Sequence, residues 1–197
     1  MIVINTKSYQ SGKDLLTLAQ KIEQHLPEAI IAVPTNEIKN IFSNTKLKVF
    51  TQQVENLQQL KNSKATGTLL NHSEHRVPEQ TIKETIQNSG KLKIILCVET
   101  VEEAKKYLNL KPWAIAFEDK DLIGSGNSIT TAMPDAVKEF SALLKNSKII
   151  PLCGAGISSA NDVKTAEELG CKGVLVASAI AKDIEKGEKV LEEISKL

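Results

Sequence analysis

The sequence contains no apolar run long enough to cross a membrane. Its longest continuous apolar segments, such as residues 29–33 and 94–98, are five residues long, whereas a membrane-spanning helix needs about 20. Residues 1–7 also lack the apolar core of a signal peptide. We therefore expect a cytoplasmic protein that has no membrane partner.

Cysteine is scarce. The three cysteines, Cys97, Cys153 and Cys171, are an odd number and form no Cys-x-x-Cys pair. The count argues against a disulfide framework, and the spacing gives no zinc or redox motif. We therefore expect three buried free thiols and no metal site.

Arginine and excess charge are also nearly absent. The chain has 25 basic and 24 acidic residues, a net charge of +1, and Arg76 is its only arginine. A balance this even gives no reason to expect nucleic acid as a partner. No Pro-, Gly- or Ser-rich stretch divides the 197 residues, so we expect a single domain over residues 1–197.

What the sequence does contain is a regular alternation of short apolar segments with longer amphipathic ones. Strands without polar alternation are buried on both faces, as in a parallel sheet covered by helices. The predicted strands are residues 2–5, 29–33, 47–51, 67–70, 92–98, 113–117, 148–152 and 173–177. The predicted helices are residues 13–26, 36–42, 54–61, 78–88, 100–108, 134–144, 159–169 and 184–197.

Eight strand–helix units can close into a (β/α)₈ barrel or open into a doubly wound sheet. No Gly-x-Gly-x-x-Gly follows the first strand, which weakens the dinucleotide-binding form of the open sheet. Eight repeats favour an α/β fold of the (β/α)₈ barrel type, although 197 residues is near its lower size limit. In such a barrel the residues that follow the strands form the active face.

Chemically useful residues follow five of the predicted strands. They are Asn5 and Lys7, the run Asn71-His72-Ser73-Glu74-His75-Arg76, Glu118, the run Gly154-Ala155-Gly156, and the pair Ala177-Ser178. Each has a plainer explanation, because strand-end lysines are commonly solvated and glycines after strands commonly form turns. Their joint occurrence at one end of five strands favours a functional site.

These residues resemble motifs of the triosephosphate isomerase family, particularly its short archaeal-like form. Asn5-Thr6-Lys7 is similar to the family's Asn-x-Lys, and the run from His72 to Arg76 to its His-Ser-Glu-x-Arg. Glu118 with the later Gly124-Ser125-Gly126 resembles the catalytic glutamate and lid, and Gly154-Ala155-Gly156 the seventh loop. The resemblance covers the whole chain.

The resemblance implies a cofactor-independent isomerase that interconverts D-glyceraldehyde 3-phosphate and dihydroxyacetone phosphate, so the expected partner is a small phosphorylated triose. Glu118 would be the base, His72 the electrophile and Lys7 a catalytic and substrate-binding cation. Asn5 would bind substrate through its amide. The implied phosphate-binding residues are Gly124, Gly156, Ala177 and Ser178, and the implied supporting residues are Ser73, Glu74 and Arg76.

Two departures from the family pattern stand out. Asp119 occupies the position of a proline that ordinarily follows the glutamate, which predicts a looser lid hinge and slower catalysis. The long loop that ordinarily follows the third strand and reaches into a partner subunit is missing, since residue 51 is followed almost at once by the third helix. We therefore expect either a monomer or an oligomer built on another surface.

Two other functions stay open from the sequence. The chain could be another phosphate-binding barrel enzyme, such as an aldolase or a phosphoribosyl isomerase, because the loops after strands seven and eight serve phosphate generally. It could instead be a catalytically weak or inactive phosphosugar-binding barrel. The sixth strand carries no Schiff-base lysine, which counts against an aldolase. The joint presence of Glu118, His72 and Lys7 counts against an inactive barrel.

Overall fold

A computed structural model describes all 197 residues, and its eight strands form a closed barrel. Every strand pairs in parallel with the next in chain order, and the last pairs with the first. The strands are β1 Ile2–Asn5, β2 Ile30–Val33, β3 Lys48–Thr51, β4 Gly67–Leu70, β5 Lys93–Val98, β6 Ala114–Glu118, β7 Ile150–Gly154 and β8 Gly173–Val176. The predicted (β/α)₈ barrel is confirmed.

Ten α-helices surround the barrel: α1 Gly12–His25, α2 Ile38–Asn44, α3 Leu57–Lys61, α4 Glu79–Gln87, α5 Val101–Tyr107, α6 Ile129–Ala132, α7 Pro134–Leu144, α8 Ala160–Glu168, α9 Ser178–Ala181 and α10 Ile184–Ile194. The sequence predicts eight of them and misses α6 and α9. Those two have four residues each, too few to show helical periodicity. None of the ten is both long and apolar enough to span a membrane.

The strands are mostly apolar because each one separates two cores. In β1 the side chain of Val3 belongs to a cluster of 11 residues inside the barrel. Its neighbour Ile4 belongs to a cluster of 42 residues between the strands and the helices. Successive strand residues point to opposite faces, and here both faces are dry, so no polar alternation appears in the sequence.

Phe50 fills the barrel interior at the level of Gly67. A Cβ atom on Gly67 would lie 2.5 Å from the Phe50 ring and would also overlap the backbone carbonyl of Lys93. The glycine therefore leaves space for the aromatic ring, which is fully buried. Truncation of Phe50 to alanine would cost about 3–5 kcal/mol, since it would leave a cavity in a packed core.

The carboxyl ends of three strands differ from the prediction. Strand β8 ends one residue early, at Val176, and the other two shifts bear on the candidate site. Strand β6 extends through Glu118, and β7 runs from Ile150 to Gly154 instead of over residues 148–152. Both strands continue because Glu118 pairs with Gly154 in the sheet register. Two residues that the sequence analysis places after the strands are thus the last residues of the strands.

Candidate active site

The end of β1 carries Asn5 and Lys7, and both side chains line one pocket. The backbone turns after β1, because Lys7 has a left-handed φ of 48°. Its backbone N–H donates to Asn5 Oδ1 at 3.0 Å, which fixes the turn. The buried Lys7 ammonium then lies 3.0 Å from Glu74 Oε1 and 6.0 Å from the centre of the Tyr9 ring.

The loop after β4 carries His72, whose ring is buried. Its Nδ1 accepts a hydrogen bond from the backbone N–H of Glu74 at 3.3 Å. A ring nitrogen that accepts cannot carry the proton, so this bond assigns the proton of the neutral ring to Nε2. The carboxylate of the same Glu74 pairs with Lys7, and one residue therefore supports both His72 and Lys7.

The Nε2 atom of His72 points toward Asn5 and Glu118. It lies 3.5 Å from Asn5 Nδ2 and 3.6 Å from Glu118 Oε2. Both separations are too long for a strong hydrogen bond. With the proton on Nε2, His72 and Asn5 present two N–H donors side by side, an arrangement suited to an oxygen that accepts from both.

Glu118 ends β6 and is buried, and its Oε2 atom has no hydrogen-bond partner. A buried carboxylate oxygen without a donor is costly for the folded protein. Cys97 lies beside the carboxylate on β5. Burial, and next the Glu118 charge, raises the pKa of the Cys97 thiol well above its ordinary value. The thiol therefore stays protonated and adds no charge beside Glu118.

The loop after β7 lies close to the backbone of residues 127–129. Ala155 and Gly156 both adopt left-handed conformations, with φ of 71° and 72°. A Cβ atom on Gly156 would overlap the carbonyl of Asn127, so this position requires glycine. The carbonyl of Ala155 accepts from the N–H of Ile129 at 3.1 Å. The seventh loop is thus packed backbone to backbone against residues 127–129.

Residues 119–126, the segment that the family resemblance identifies as a lid, begin with a 3₁₀ turn over Lys120–Leu122. Asp119 caps this turn, because its Oδ1 accepts from the N–H of Asp121 at 2.9 Å. Gly124 and Gly126 have φ of 76° and 80°, and each has open space where a Cβ would be. Ordinary residues rarely adopt this conformation, so the two glycines set the path of the lid.

A narrow pocket of about 40 Å³ joins these parts. The predicted site residues that line it are Asn5, Lys7, His72, Glu118, Gly124, Gly156, Ala177 and Ser178. Tyr9, Ile123, Ala155, Ile157, Leu175 and Val176 also line it. Lys7 is the one positively charged residue among them. No group of His, Cys, Asp and Glu side chains is arranged to hold a metal ion.

Three predicted supporting residues do not line the pocket. The backbone N–H and carboxylate of Glu74 contact His72 and Lys7 from behind, whereas the Ser73 side chain makes no hydrogen bond. Arg76 lies farther out and donates two hydrogen bonds to the Glu103 carboxylate, from Nη2 to Oε1 at 2.5 Å and from Nη1 to Oε2 at 3.3 Å. Glu103 is not predicted as a site residue, because it occurs among the many charged residues of α5.

This chain is a closed barrel with a carboxylate, an imidazole and a lysine at the carboxyl ends of its strands. That arrangement is typical of (β/α)₈ barrel enzymes. The sequence model of the triosephosphate isomerase family matches residues 1–192. The chain belongs to the triosephosphate isomerase family.

Relatives from archaea agree with this assignment. The triosephosphate isomerase of Thermoplasma volcanium is 33% identical over 92% of this chain and 92% of its own. The enzyme of Sulfolobus acidocaldarius is 33% identical over 100% of this chain and 94% of its own. That of Methanothermus fervidus is 35% identical, with 98% and 96% covered. The last two matches span 216 and 217 residues, so these relatives carry segments that this chain lacks.

Solved structures agree at the level of the fold. Triosephosphate isomerase from Bartonella henselae superposes with a TM-score of 0.69 at 17% identity, over 98% of this chain and 96% of its own. The α-subunit of tryptophan synthase from Pyrococcus furiosus superposes with a TM-score of 0.74 at 15% identity, over 100% and 98%. Two enzymes with different names fit about equally well, so the fold does not separate functions within the class.

Proposed function

We propose that this chain interconverts D-glyceraldehyde 3-phosphate and dihydroxyacetone phosphate. The observation that carries the proposal is the arrangement of Glu118 and His72. An unpartnered, buried carboxylate oxygen faces a ring nitrogen 3.6 Å away, and the backbone bond to Nδ1 assigns a proton to that nitrogen. A base and a neutral hydrogen-bond donor are the two groups that proton transfer next to a carbonyl requires. The family assignment supports the same reaction.

In the proposed reaction Glu118 removes a proton from the carbon beside the carbonyl. The carbonyl oxygen accepts hydrogen bonds from His72 Nε2 and Asn5 Nδ2, which stabilise the negative charge that develops as the enediolate forms. A proton moves between the two oxygens, and Glu118 returns its proton to the adjacent carbon. Glu118 ends the cycle ionised, as it began, and no electrons are gained or lost.

Lys7 supplies the fixed positive charge of the pocket. Both the phosphate and the enediolate are negative, so one ammonium group aids substrate binding and the transition state. Its 3.0 Å contact with Glu74 restrains the ammonium while leaving its other two protons for the substrate. A hydrophobic residue at this position should therefore weaken binding and slow the chemical step together.

The phosphate group is proposed to bind the backbone of Gly124, Gly156, Ala177 and Ser178. Backbone N–H groups bind a phosphate through charge-assisted hydrogen bonds and need little rearrangement. The small side chains at these positions allow a close approach to the backbone. Lys7 borders the same pocket, so its charge adds to the attraction for the phosphate.

Substrate entry requires the lid to move. The pocket of about 40 Å³ has room for little more than one or two water molecules, and a phosphorylated triose is much larger. Ile123 and Gly124 of the lid form part of its wall. We propose that the lid opens to admit substrate and closes again, which excludes water and protects the enediolate.

A coupled assay with glyceraldehyde 3-phosphate tests the proposal. The wild type should turn over, and Glu118→Asp, which draws the carboxylate back by one methylene, should lower kcat about 100-fold. Glu118→Gln removes the base and should lower kcat by about 10² to 10⁴. Lys7→Met should raise KM and lower kcat. Binding of a phosphorylated triose by a wild type that shows no turnover would instead support the phosphosugar-binding alternative.

We also infer that the protein is a monomer. The connection between β3 and α3 is only residues 52–56, too short to reach a neighbouring molecule. Only three large apolar side chains are well exposed, Tyr9 at 38%, Phe42 at 44% and Leu197 at 67%, whereas a stable oligomer buries a continuous apolar surface. Light scattering at low micromolar concentration should give the monomer mass, and a stable dimer would contradict the inference.

A further inference from the structure

We infer that Asn71 is a positioning residue for His72, and that Glu103 holds it in place. The inference rests on the proposed function and adds to it a residue pair that no motif contains. Asn71 is the first residue after β4 and directly precedes His72 in the chain. It is a buried polar residue and has a left-handed φ of 65°.

The amide of Asn71 closes the loop that carries His72. Its Oδ1 accepts from the backbone N–H of Val77 at 3.1 Å, so one side chain joins the two ends of residues 71–77. Within the loop, the N–H of His75 donates to the carbonyl of His72 at 2.8 Å. The N–H of Glu74 donates to the His72 ring. The closed loop thus holds the imidazole and the carboxylate that pairs with Lys7.

The same amide attaches the loop to the neighbouring βα unit. Asn71 Nδ2 donates to the carbonyl of Cys97 at the end of β5, at 3.1 Å, and to Glu103 Oε1 at 3.3 Å. Cys97 is the residue whose thiol lies beside Glu118. The hydrogen bond from Asn71 therefore fixes the end of β4, which His72 follows, against β5, which flanks the proposed base Glu118.

Glu103 is the hub of this attachment. Its carboxylate accepts from Asn71, from both guanidinium nitrogens of Arg76, and from the backbone N–H of Glu99 at 2.8 Å. Its own N–H is bound by Thr100 at the start of α5. The carboxylate is thus saturated with donors and fixed by a helix. Arg76 and the side-chain amide of Asn71 thus both donate to the fixed carboxylate of Glu103.

The backbone conformation of Asn71 would suit glycine better, so the side chain explains why asparagine occupies this position. A left-handed φ is easiest for glycine, and asparagine tolerates it better than most other residues. Glycine would fit the backbone but would leave the Cys97 carbonyl and the Val77 N–H without these partners. Three hydrogen bonds from one buried amide offset the conformational cost.

Two variants separate the side chain from the backbone conformation. Asn71→Gly keeps the left-handed turn and removes all three hydrogen bonds. Asn71→Asp keeps the bond to Val77 but places a carboxylate against Glu103, and the double variant Asn71→Asp/Glu103→Gln restores a donor opposite an acceptor. Lys111→Gly is the control, because Lys111 is exposed, has a φ of 51° and lies outside the site.

We expect Asn71→Gly to lower kcat roughly 10- to 100-fold, the loss that about 1 Å of misplacement causes, while KM changes less than about threefold. Asn71→Asp should lose at least as much, and the double variant should recover severalfold. Lys111→Gly should leave both constants unchanged. The ¹⁵N spectrum of the imidazoles, assigned with His72→Gln, should show the Nε2-protonated tautomer of His72 in the wild type and an averaged tautomer in Asn71→Gly.

The inference is overturned if Asn71→Gly keeps kcat within twofold, or if kcat falls while the His72 resonances stay unchanged. Should Asn71→Gly fail to fold, Glu103→Gln decides in the same assays, since it removes the charge of the hub and keeps its shape. The nitrogen spectrum does not depend on turnover. A wild type without isomerase activity would refute the proposed function and still leave the link between Asn71 and His72 measurable.

Discussion

The carboxylate of Glu118 lies directly against the α-carbon of Gly154. A Cβ atom on Gly154 would be 3.0 Å from Glu118 Oε1 and 3.1 Å from its Cγ. The two residues are also partners in the register between β6 and β7. A Cβ atom at residue 154 would also lie 2.9 Å from the backbone carbonyl of Leu175. Glycine therefore leaves room for the carboxylate of the proposed base, and a larger residue would crowd it.

Gly154→Ala should lower kcat roughly tenfold or more, because the added methyl group displaces Glu118 from its position over the pocket. The measurement is steady-state kinetics together with a thermal melt. Gly173→Ala serves as the matched control, since its Cβ would overlap the carbonyl of Met1 at the opposite end of the barrel. The control should lower Tm without lowering kcat of the folded protein. Equal kcat in the two variants would refute the prediction.

Gly156→Ala should destabilise the protein more than Gly124→Ala. Both glycines have a similar left-handed φ, 72° and 76°, so an alanine costs about 1–2 kcal/mol at either position. At residue 156 the added Cβ also overlaps the carbonyl of Asn127, whereas at residue 124 it meets nothing within 4 Å. Urea denaturation of both variants measures the difference. Midpoints that agree would mean that the seventh loop relaxes freely.

Asp119→Pro should raise kcat. The φ of Asp119 is −71°, which a proline ring adopts without strain. A proline lowers the conformational entropy cost of ordering the hinge by roughly 0.4–1 kcal/mol. If this free energy is recovered when the lid closes, kcat should rise about two- to fivefold. Asp119→Ala is the control, because it loses the same cap to Asp121 without gaining a ring, and it should not be faster than the wild type. An unchanged or lower turnover in Asp119→Pro argues against a loose hinge.

The stability of the protein should fall below pH 4.5 in part through Glu188. The hydrogen bond from Lys21 comes first among the groups that lower the pKa of Glu188 below 4.5, with further contributions from the Lys21 charge and His25. A lowered carboxyl pKa stabilises the fold above the unfolded pKa, and this stabilisation is lost as the pH falls through the folded value. The ion pair joins α10 to α1 at 2.5 Å.

Glu188→Gln should therefore have a lower Tm than the wild type at pH 7, and the gap should shrink as the pH drops below 4.5. Added salt should reduce the gap as well, since the pair is partly solvated. Glu192→Gln, an exposed glutamate on the same helix with no ion pair, should show no such gap. A constant difference between Glu188→Gln and the wild type from pH 7 to pH 3 would contradict the assignment.

The barrel could be predicted from the sequence because its signal is repeated eight times. β1 and β4 match the predicted residues 2–5 and 67–70 at both ends, since their apolar runs stop at polar residues. The place of the site follows from the same reasoning, because parallel strands in a closed barrel end at one rim. His72, Glu118 and Lys7 therefore had to share a face once the strands were identified.

The parts that could not be predicted depend on contacts between distant residues. The spacing of Asn5 and Lys7 does not reveal the left-handed turn at Lys7, which its hydrogen bond to Asn5 holds in place. Glu103 is one of several charged residues in α5, and only the fold brings it to Arg76 and Asn71. The family resemblance implies a supporting role for Arg76, but its partner Glu103 is identified by geometry alone.

The pairing of β1 with β8 has a consequence for how the protein acquires its activity. Ile4 lies beside Val176 in the sheet, a connection between segments about as far apart in the chain as its length allows. Lys7 follows one of these strands and Ser178 the other. A nascent chain therefore cannot bring Lys7 to Ser178, one of the proposed phosphate-binding residues, before its eighth strand has been synthesised and the ring closed, a late and slow contact. Affinity for phosphate should accordingly appear with the last strand, which makes it a natural reporter of completed folding.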